Sequence, residues 1–221
     1  MTYENIYTKF MIEYDKANIT SSYPSLTKYE VATILDKAYL ALIGQKVSGN
    51  NIRRSTIESD IKSISDIQPL IVSENKTLTE GDPITNRLMC TLDPTRFLYF
   101  VGAGITRNQK VTPVKLIPHE SAEKFFETDY NKPWVKIPVC YIENNTLYVL
   151  YDPTDKNEIT EQLLLTYIKR PTTFVGNIDA TKFDCNDSMA EELISLAVTF
   201  ALENVESTRL NTKLNTRGLE A

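Results

Sequence analysis

His119 is the only histidine in the sequence, so a catalytic triad or dyad with an imidazole base would have to be built on it. It lies between Pro118 and Glu120, at the expected start of a short helix. A histidine at such a position commonly faces solvent or caps the helix. We therefore predict a partly exposed or capping histidine, and no catalytic residue in the chain.

The three cysteines do not form a pattern that is typical of a metal centre. Cys90, Cys140 and Cys185 are far apart, none belongs to a C-x-x-C pair, and none has a histidine at metal-ligand spacing. Their odd number and wide spacing argue against structural disulfides and favour a reducing compartment during folding. We predict small buried apolar side chains or turn residues, with no metal and no cofactor.

Two glycines, Gly102 and Gly104, follow a predicted strand and suggest a phosphate-binding loop at first sight. The third glycine of that motif is missing, no helix start follows, and the polar residues after Ile105 are typical of a hairpin loop. The sequence also contains no G-x-S-x-G elbow and no P-loop lysine. It therefore predicts no nucleotide site.

An oxygen-rich turn follows Tyr151 and could in principle bind calcium. Its spacing is not that of the roughly 12-residue calcium loop, and Pro153 interrupts it. We predict a solvated turn without a metal, formed by Asp152, Asp155, Asn157 and Glu158.

The bulk composition is that of one soluble globular domain. The chain has 221 residues, 42% of them hydrophobic, and a formal net charge of -5. A general nucleic-acid binder should carry an excess of Lys and Arg, so the charge argues against one, although it suits a surface that DNA passes without binding. The sequence has no apolar window of about 18 residues and no secretory signal pattern, so we predict no membrane segment.

The first part of the chain, residues 1–68, has helical patterning. Thr27 and Glu30 form a capping box that starts a helix, and Gly44 is its expected end. Ser55 and Glu58 form a second capping box, and Pro69 should close that segment. Two stripes predict the first and third helices of this part: Ile6, Phe10 and Tyr14, then Ile57, Ile61 and Ile64.

Residues 87–170 have the short period of strands, whereas residues 77–85 are predicted to form an exposed loop. Asn144 and Asn145 tolerate positive φ and predict the tip of a hairpin. A short helical turn is expected at Ser121–Phe126. The predicted strands are residues 87–92, 97–101, 111–117, 135–142, 146–151 and 162–169, and they form an antiparallel sheet or sandwich.

A closing helix is predicted over residues 187–206, capped by Asp187 or Ser188. Its buried face should hold the apolar residues, whereas the acidic ones stay outside. We thus expect an α+β fold, with N-terminal helices, a central sheet and a C-terminal helix in one domain over residues 1–206. The buried set is Leu193, Leu196, Ala197, Phe200 and Ala201, and the outer set is Glu191, Glu192 and Glu203.

The C-terminal arm, residues 207–221, has a different composition. It repeats with period four and holds three basic residues against one acid, Glu220, on an otherwise acidic chain. A terminal segment is often frayed, but a frayed end has no need to repeat. The arm is predicted to dock on a partner and to order on assembly, and its candidate docking residues are Arg209, Leu210, Lys213, Leu214 and Arg217.

The order of these elements resembles the virion head-to-tail connector or ring proteins of tailed bacteriophages, most closely those of crAss-like phages. The resemblance covers nearly the whole chain as a pattern, and no single piece is diagnostic. Its pieces are residues 3–16, Tyr29-Glu30, Leu35-Asp36-Lys37-Ala38-Tyr39, Arg53-Arg54, Ile117-Pro118-His119-Glu120, Asn131-Lys132-Pro133-Trp134, Tyr167-Ile168-Lys169-Arg170-Pro171 and Glu191-Glu192-Leu193-Ile194. The chain departs from the pattern in its less basic stretch at residues 44–54 and in its repeated tail.

The resemblance implies a non-catalytic structural protein of the virion, made in the host cytoplasm. Such proteins form homo-oligomeric rings, often dodecamers, that act as adaptors between portal and tail and continue the channel for genomic DNA. The implied partners are identical subunits and the portal or neighbouring tail ring proteins, with no sequence-specific DNA contact and no membrane.

Two other interpretations stay open. One is a tail terminator or completion protein. The other, from a different class, is a carbohydrate- or peptide-binding module, because tyrosine is enriched where an apolar ring meets a wet surface. The tyrosines of the Tyr148–Asp155 hairpin would form its site, although position alone assigns most strand tyrosines to the core.

Overall fold

The computed structural model describes residues 1–17, 26–49, 61–80, 87–107, 110–122, 138–150, 162–177 and 182–204. It confirms the mixed α+β fold with N-terminal helices and a C-terminal helix. The chain divides into two compact units. The helical unit comprises Met1–Leu70 and the described residues after Arg170, and the sheet unit comprises Ile71–Arg170.

The helical unit contains four described helices. The first, α1, buries Tyr3, Ile6, Phe10 and Tyr14, which confirms the predicted stripe. Side chains three or four positions apart lie on the same face of a helix, so these four side chains form one continuous buried face. The helices are α1 (Tyr3–Ala17), α2 (Lys28–Ser48), α3 (Ile61–Ile67) and α4 (Asp187–Asn204), and a 3-10 turn, Gln68–Leu70, follows α3.

The start of α2 is the predicted capping box. The Thr27 hydroxyl accepts a hydrogen bond from the Glu30 backbone at 3.3 Å, and the Glu30 carboxylate accepts one from the Thr27 backbone at 2.7 Å. The predicted end at Gly44 is wrong, because the helix continues to Ser48. A glycine inside a helix costs only about 1 kcal/mol, and Lys46 is still buried beyond it. The helix ends at Gly49, whose φ of 71° is left-handed.

The start of α4 differs from the prediction by one residue. Asn186 caps it, since the Asn186 Oδ1 accepts a hydrogen bond from the Met189 backbone at 2.9 Å. Leu193, Leu196, Ala197 and Ala201 are buried as predicted, and Phe200 is half-buried. The predicted capping box of Ser55 and Glu58 lies outside the described residues.

The sheet unit contains one eight-stranded sheet with the order β1-β8-β4-β5-β6-β7-β3-β2. Neighbouring strands are antiparallel except β5 and β6, which pair in parallel over two residue pairs. The sheet is therefore mixed rather than purely antiparallel. Its strands are β1 (Ile71–Thr77), β2 (Thr79–Glu80), β3 (Arg87–Thr91), β4 (Phe97–Arg107), β5 (Lys110–Leu116), β6 (Val139–Glu143), β7 (Thr146–Leu150) and β8 (Gln162–Lys169).

Two strands have no counterpart in the sequence-based prediction, which begins the strands at residue 87 and expects a loop at 77–85. The strand β1 carries polar residues, yet its whole length pairs with β8 from Ile71↔Ile168 to Thr77↔Gln162. The short β2 pairs with β3. Long-range backbone pairing, rather than local apolar alternation, makes these residues strands.

One apolar core of the sheet unit is formed by side chains from strands in both halves of the sheet. Leu163 and Leu165 of β8 belong to the same buried cluster as Leu147 and Val149 of β7. The β6–β7 turn is the predicted hairpin, with Asn144 and Asn145 at φ values of 47° and 59°. The predicted helical turn at Ser121–Phe126 begins as a 3-10 turn at His119–Ser121, and its remainder from residue 123 lies outside the described residues.

Candidate interaction surfaces

The five candidate docking residues of the arm lie outside the described residues, which end at Asn204. The docking prediction therefore stays a prediction. Among the described residues, the side chains that could carry chemistry or binding form three clusters, two in the sheet unit and one in the helical unit.

His119 is exposed, as predicted, with 62% of its side chain accessible. Its Nε2 lies 3.2 Å from the Glu143 Oε2, and its ring meets the Tyr141 ring edge-on at 5.5 Å. A carboxylate partner of this kind orients an imidazole. Neither contact supplies a nucleophile of the kind that a triad requires.

Next to His119, an Arg–Tyr cluster crosses three strands on one face of the sheet. Arg87 of β3 donates a hydrogen bond from Nη1 to the Tyr141 hydroxyl of β6 at 2.9 Å. Tyr148 of β7 stacks on Tyr141 with ring centroids 5.1 Å apart and planes at 14°. Burial raises the pKa of Tyr141, and the nearby Arg87 partly offsets that rise. The cluster ties the strands together, while the buried Arg87 Nε has no hydrogen-bond partner.

This packing bears on the sugar- or peptide-binding interpretation. A binding platform needs exposed aromatic faces. Tyr141 is buried, and Tyr148 is half-buried against it. Tyr167 is also buried, whereas Tyr99 is exposed. Tyr151 and the predicted solvated turn of Asp152, Asp155, Asn157 and Glu158 lie outside the described residues.

A small cleft of about 40 Å³ opens between β1, β8 and the turn before β4. Its charges are balanced, with Glu74 and Lys76 in an ion pair at 3.0 Å. The cleft is too small for a cofactor, since ligand sites are typically about 300–1,000 Å³. Its lining is Glu74, Lys76, Leu92, Asp93, Arg96, Phe97, Leu165 and Tyr167.

The glycine pair lies within β4 rather than in a loop, because that strand continues to Arg107. A Cβ on Gly104 would lie 2.4 Å from Val111 Cγ1, whereas a Cβ on Gly102 would meet nothing within 4 Å. Gly104 therefore allows a close approach between β4 and β5. This role of Gly104 is structural.

All three cysteines are free and buried, as predicted. Burial raises the pKa of Cys140 to about 12 and also raises the pKa of Cys90. Cys185 lies 3.1 Å from the Tyr39 hydroxyl in the helical unit. Among the described residues, no group of His, Cys, Asp and Glu is placed to hold a metal ion, and none of the helices there is long and apolar enough to cross a membrane.

The helical unit contains a buried ion cluster that the sequence-based reasoning missed. Lys46 of α2 lies 2.7 Å from the Asp66 carboxylate of α3 and 2.8 Å from the Glu192 carboxylate of α4. Lys62 reaches the second oxygen of Glu192 at 2.5 Å. Asn186 donates a hydrogen bond to the other Asp66 oxygen at 2.7 Å. The cluster therefore joins three helices.

Burial makes these contacts mutually dependent. The side chains of Lys46 and Asp66 are only 8% and 1% exposed. Burial alone opposes the charge on Lys46, but Asp66 and Glu192 outweigh it and raise its pKa. Burial likewise opposes the charge on Glu192, but Lys46 and Lys62 outweigh it and lower its pKa. Each buried charge is thus stabilised by its partners, and removing one would leave another uncompensated.

The prediction that Glu192 stays outside is wrong, because the two lysines draw it into this cluster. Glu191 and Glu203 are exposed, as predicted. One signal was present in the sequence, since Lys46 continues the four-residue spacing of the buried Leu42. A charged residue in line with an apolar face needs a buried counter-ion, but the sequence does not identify that partner.

Two isoleucines of α3 are exposed, Ile61 at 86% and Ile64 at 40%, whereas Asp66 and Ile67 of the same helix are buried. Ile61 and Ile64 of the predicted stripe therefore face solvent, and Ile57 lies outside the described residues. The buried side of α3 holds Asp66 of the ion cluster together with Ile67.

No protein-family model matches the chain. No curated protein sequence matches it either.

Proposed function

We propose that the chain is a non-enzymatic virion subunit that assembles into a ring in the portal–tail connector of a tailed phage, joining head to tail and extending the DNA channel. The pattern of elements that suggests this role is supported by the α+β fold and by the charge division of the chain. The ring is built from identical subunits, and the arm provides the contact between neighbours.

The charge division is the observation that carries the proposal. The arm has three basic residues and one acid, which gives +2, so the total of -5 leaves -7 on residues 1–206. An acidic body and a basic arm on one chain attract each other between copies, and this attraction guides association. The contact is heterologous, and such contacts form a ring when the rotation from copy to copy closes. An acidic body also suits a channel that DNA crosses without binding.

The test is deletion of residues 207–221. The truncated chain should keep the far-UV circular dichroism and the melting temperature of the full chain, because its buried cores are intact. It should stay monomeric in analytical ultracentrifugation at concentrations where the full chain forms closed rings in electron micrographs. Normal ring formation by the truncated chain would show that the arm is not the contact between neighbouring subunits.

A second measurement addresses the location in the particle. Electron microscopy of purified virions should show density for this chain as a ring between portal and tail. Density at the distal end of the tail tube instead would favour the terminator interpretation. A full-length chain that stays monomeric and is missing from particles would overturn the structural role itself.

A further inference from the structure

We infer that the Arg87 guanidinium in the Arg–Tyr cluster of the sheet unit anchors a site for a small carboxylate. The carboxylate comes either from a free anion or from an acidic side chain of a second copy. A site of this kind goes beyond the proposed function, because it can be occupied whether or not the chain forms rings. Three features of Arg87 support it: how its side chain is held, what its charge lacks and which of its donors remains unused.

Two stacked tyrosines hold the Arg87 side chain in one orientation. Arg87 Nη1 donates a hydrogen bond to the Tyr141 hydroxyl at 2.9 Å, and the Arg87 Cζ lies 5.8 Å from the centroid of the same ring. Tyr141 is itself buried and stacked on Tyr148, with ring centroids 5.1 Å apart. A guanidinium that is fixed in advance loses little conformational entropy when it binds a ligand.

The charge of Arg87 has no counter-ion among the described residues. Its side chain is half-buried, and the Tyr141 hydroxyl that it bonds is neutral, because burial raises the pKa of that tyrosine. Charges removed from water are normally paired. The buried Lys46 of the helical unit follows this rule, since it contacts both Asp66 and Glu192. Arg87 differs from Lys46 in lacking such a partner within the described ranges.

A carboxylate on the same strand as Tyr141 is engaged elsewhere. Glu143 is two residues beyond Tyr141 on β6, so both side chains lie on one face of the sheet. The Glu143 Oε2 lies 3.2 Å from the His119 Nε2, and no ion pair joins Glu143 to Arg87. The carboxylate that this face supplies is therefore paired with the histidine and leaves the guanidinium uncompensated.

The unused edge of the guanidinium matches the shape of a carboxylate. The N–H donors of arginine form a rigid fork, in which Nη2 and Nε together can bond both oxygens of one carboxylate. Nη1 is taken by Tyr141, so the edge of Nη2 and Nε remains for a ligand. Nε is buried and has no hydrogen-bond partner, and a buried donor without a partner is costly. One carboxylate at this edge would satisfy the donor and compensate the charge.

A buried water molecule is the alternative occupant of the Arg87 Nε. Water offers an oxygen to the donor, but it carries no charge, so the half-buried cation would stay uncompensated. The burial of Nε also limits the size of a ligand. Formate and acetate are small enough to bring an oxygen to a screened donor, whereas the ring of benzoate is not.

The first test is an NMR titration of the full chain with sodium acetate, observed at the arginine Nε–Hε signals. The Arg87 signal should move saturably, with half of the change at roughly 1–100 mM acetate, because so small a ligand makes few contacts. Sodium chloride and sodium benzoate at the same ionic strength are the controls and should leave the signal in place. No saturable change with acetate, or the same change with either control, would overturn the inference.

Protein concentration distinguishes the two sources of the carboxylate. If a second copy supplies it, the Arg87 Hε signal should move as the protein is concentrated without acetate, and added acetate should reverse the change. If a free anion supplies it, the signal should respond to acetate alone. Either result supports the site, and a signal that responds to neither variable overturns it.

The second test measures acetate binding to variants by saturation-transfer difference on the acetate methyl protons. Arg87→Lys keeps the charge but loses the fork, so the affinity should fall at least about tenfold. Tyr141→Phe removes the hydroxyl that holds Nη1 and should weaken binding about threefold or more. Arg96→Lys is the matched control, because Arg96 is an exposed arginine of the same unit, and it should bind like the wild type.

An equal loss in the Arg96 variant would show that general surface charge attracts acetate and would overturn the inference. Melting temperatures accompany each variant. If Arg87→Lys does not fold, the titration of the Arg87 signal in the unchanged protein still decides the question.

The outcomes are independent of those for the proposed function. Specific acetate binding by a chain that never forms rings would remove the connector role and leave the carboxylate site standing. Normal rings from a chain whose Arg87 signal ignores acetate and protein concentration would do the reverse.

Discussion

Both units of the chain have an apolar core, but the helical unit also contains a buried ion cluster. The sheet unit surrounds an apolar cluster of residues such as Leu147, Val149 and Leu165. The helical unit also has an apolar core, but α3 is attached to its neighbours through the charges of Lys46, Asp66 and Glu192. Apolar packing tolerates small changes of shape, whereas a buried ion cluster depends on every partner being present.

The ion cluster also bears on which side chains of α3 are exposed to solvent. On α3, Asp66 and Ile67 are buried, whereas Ile61 and Ile64 face solvent. In the sheet unit, Arg87 instead donates a hydrogen bond to Tyr141 of another strand, and Tyr148 stacks on Tyr141. A helix that a buried ion cluster helps to hold can therefore expose apolar residues without losing its place in the fold.

The largest effect should come from breaking the ion cluster. Asp66→Ala removes the buried partner of Lys46 and should lower the free energy of unfolding by about 3–5 kcal/mol, because the ammonium is left only partly compensated. Urea denaturation measures the change. As a control, Lys9→Ala breaks the exposed pair with Glu191 and should cost less than about 1 kcal/mol. An equal loss of unfolding free energy in both variants would show that the buried ion cluster stabilises the protein no more than the exposed ion pair does.

A smaller effect is expected in the sheet unit from Gly104→Ala. The new methyl group would lie 2.4 Å from Val111 Cγ1, so the Val111 side chain or its strand must shift, at a cost of about 1–3 kcal/mol. Gly102→Ala is the matched control on the same strand, since its methyl group meets nothing within 4 Å. Thermal unfolding compares the two, and Val111→Ala should restore part of the loss in the Gly104 variant. A cost in Gly102→Ala as large as in Gly104→Ala would show that close approach is not the cause.

Acid should loosen the helical unit through Glu192. The two lysines lower its pKa in the folded protein, so its contribution to stability is present above the unfolded pKa of about 4.5 and is lost as pH falls through the folded value. Amide hydrogen exchange below that pH should show faster opening of α3. Glu192→Gln should remove this pH dependence in α3 while leaving exchange in β8 unaltered, and an unchanged profile in that variant would exclude Glu192 as the cause.

The smallest effect is expected for His119→Ala. His119 is exposed and its ion pair with Glu143 is also exposed, so stability should change by less than about 0.5 kcal/mol. Ring formation should be unaltered, because the residue has no part in the proposed arm contact. Loss of a measurable activity on this substitution would instead revive an enzymatic function for the chain.

Local features of the fold were predictable because their causes are local. Thr27 and Glu30 are three residues apart, and their reciprocal hydrogen bonds form within one turn of helix. Asn144 and Asn145 adopt the positive φ values that their side chains tolerate. The ends of helices were less predictable, since Gly44 and Gly49 are both plausible stops, and the burial of Lys46 favours the later one.

The sequence by itself determined the α+β class, the first and last helices, the hairpin and the contrast between an acidic body and a basic arm. These features follow from the spacing of apolar residues, from helix capping and from net charge. The first two depend on near neighbours along the chain, and net charge depends on composition alone. Only the tertiary structure decided that β1 is a strand, because its partner β8 lies 85 or more residues away (Thr77 to Gln162). It also decided that Lys46, Asp66 and Glu192 meet, since no local rule pairs charges across such separations.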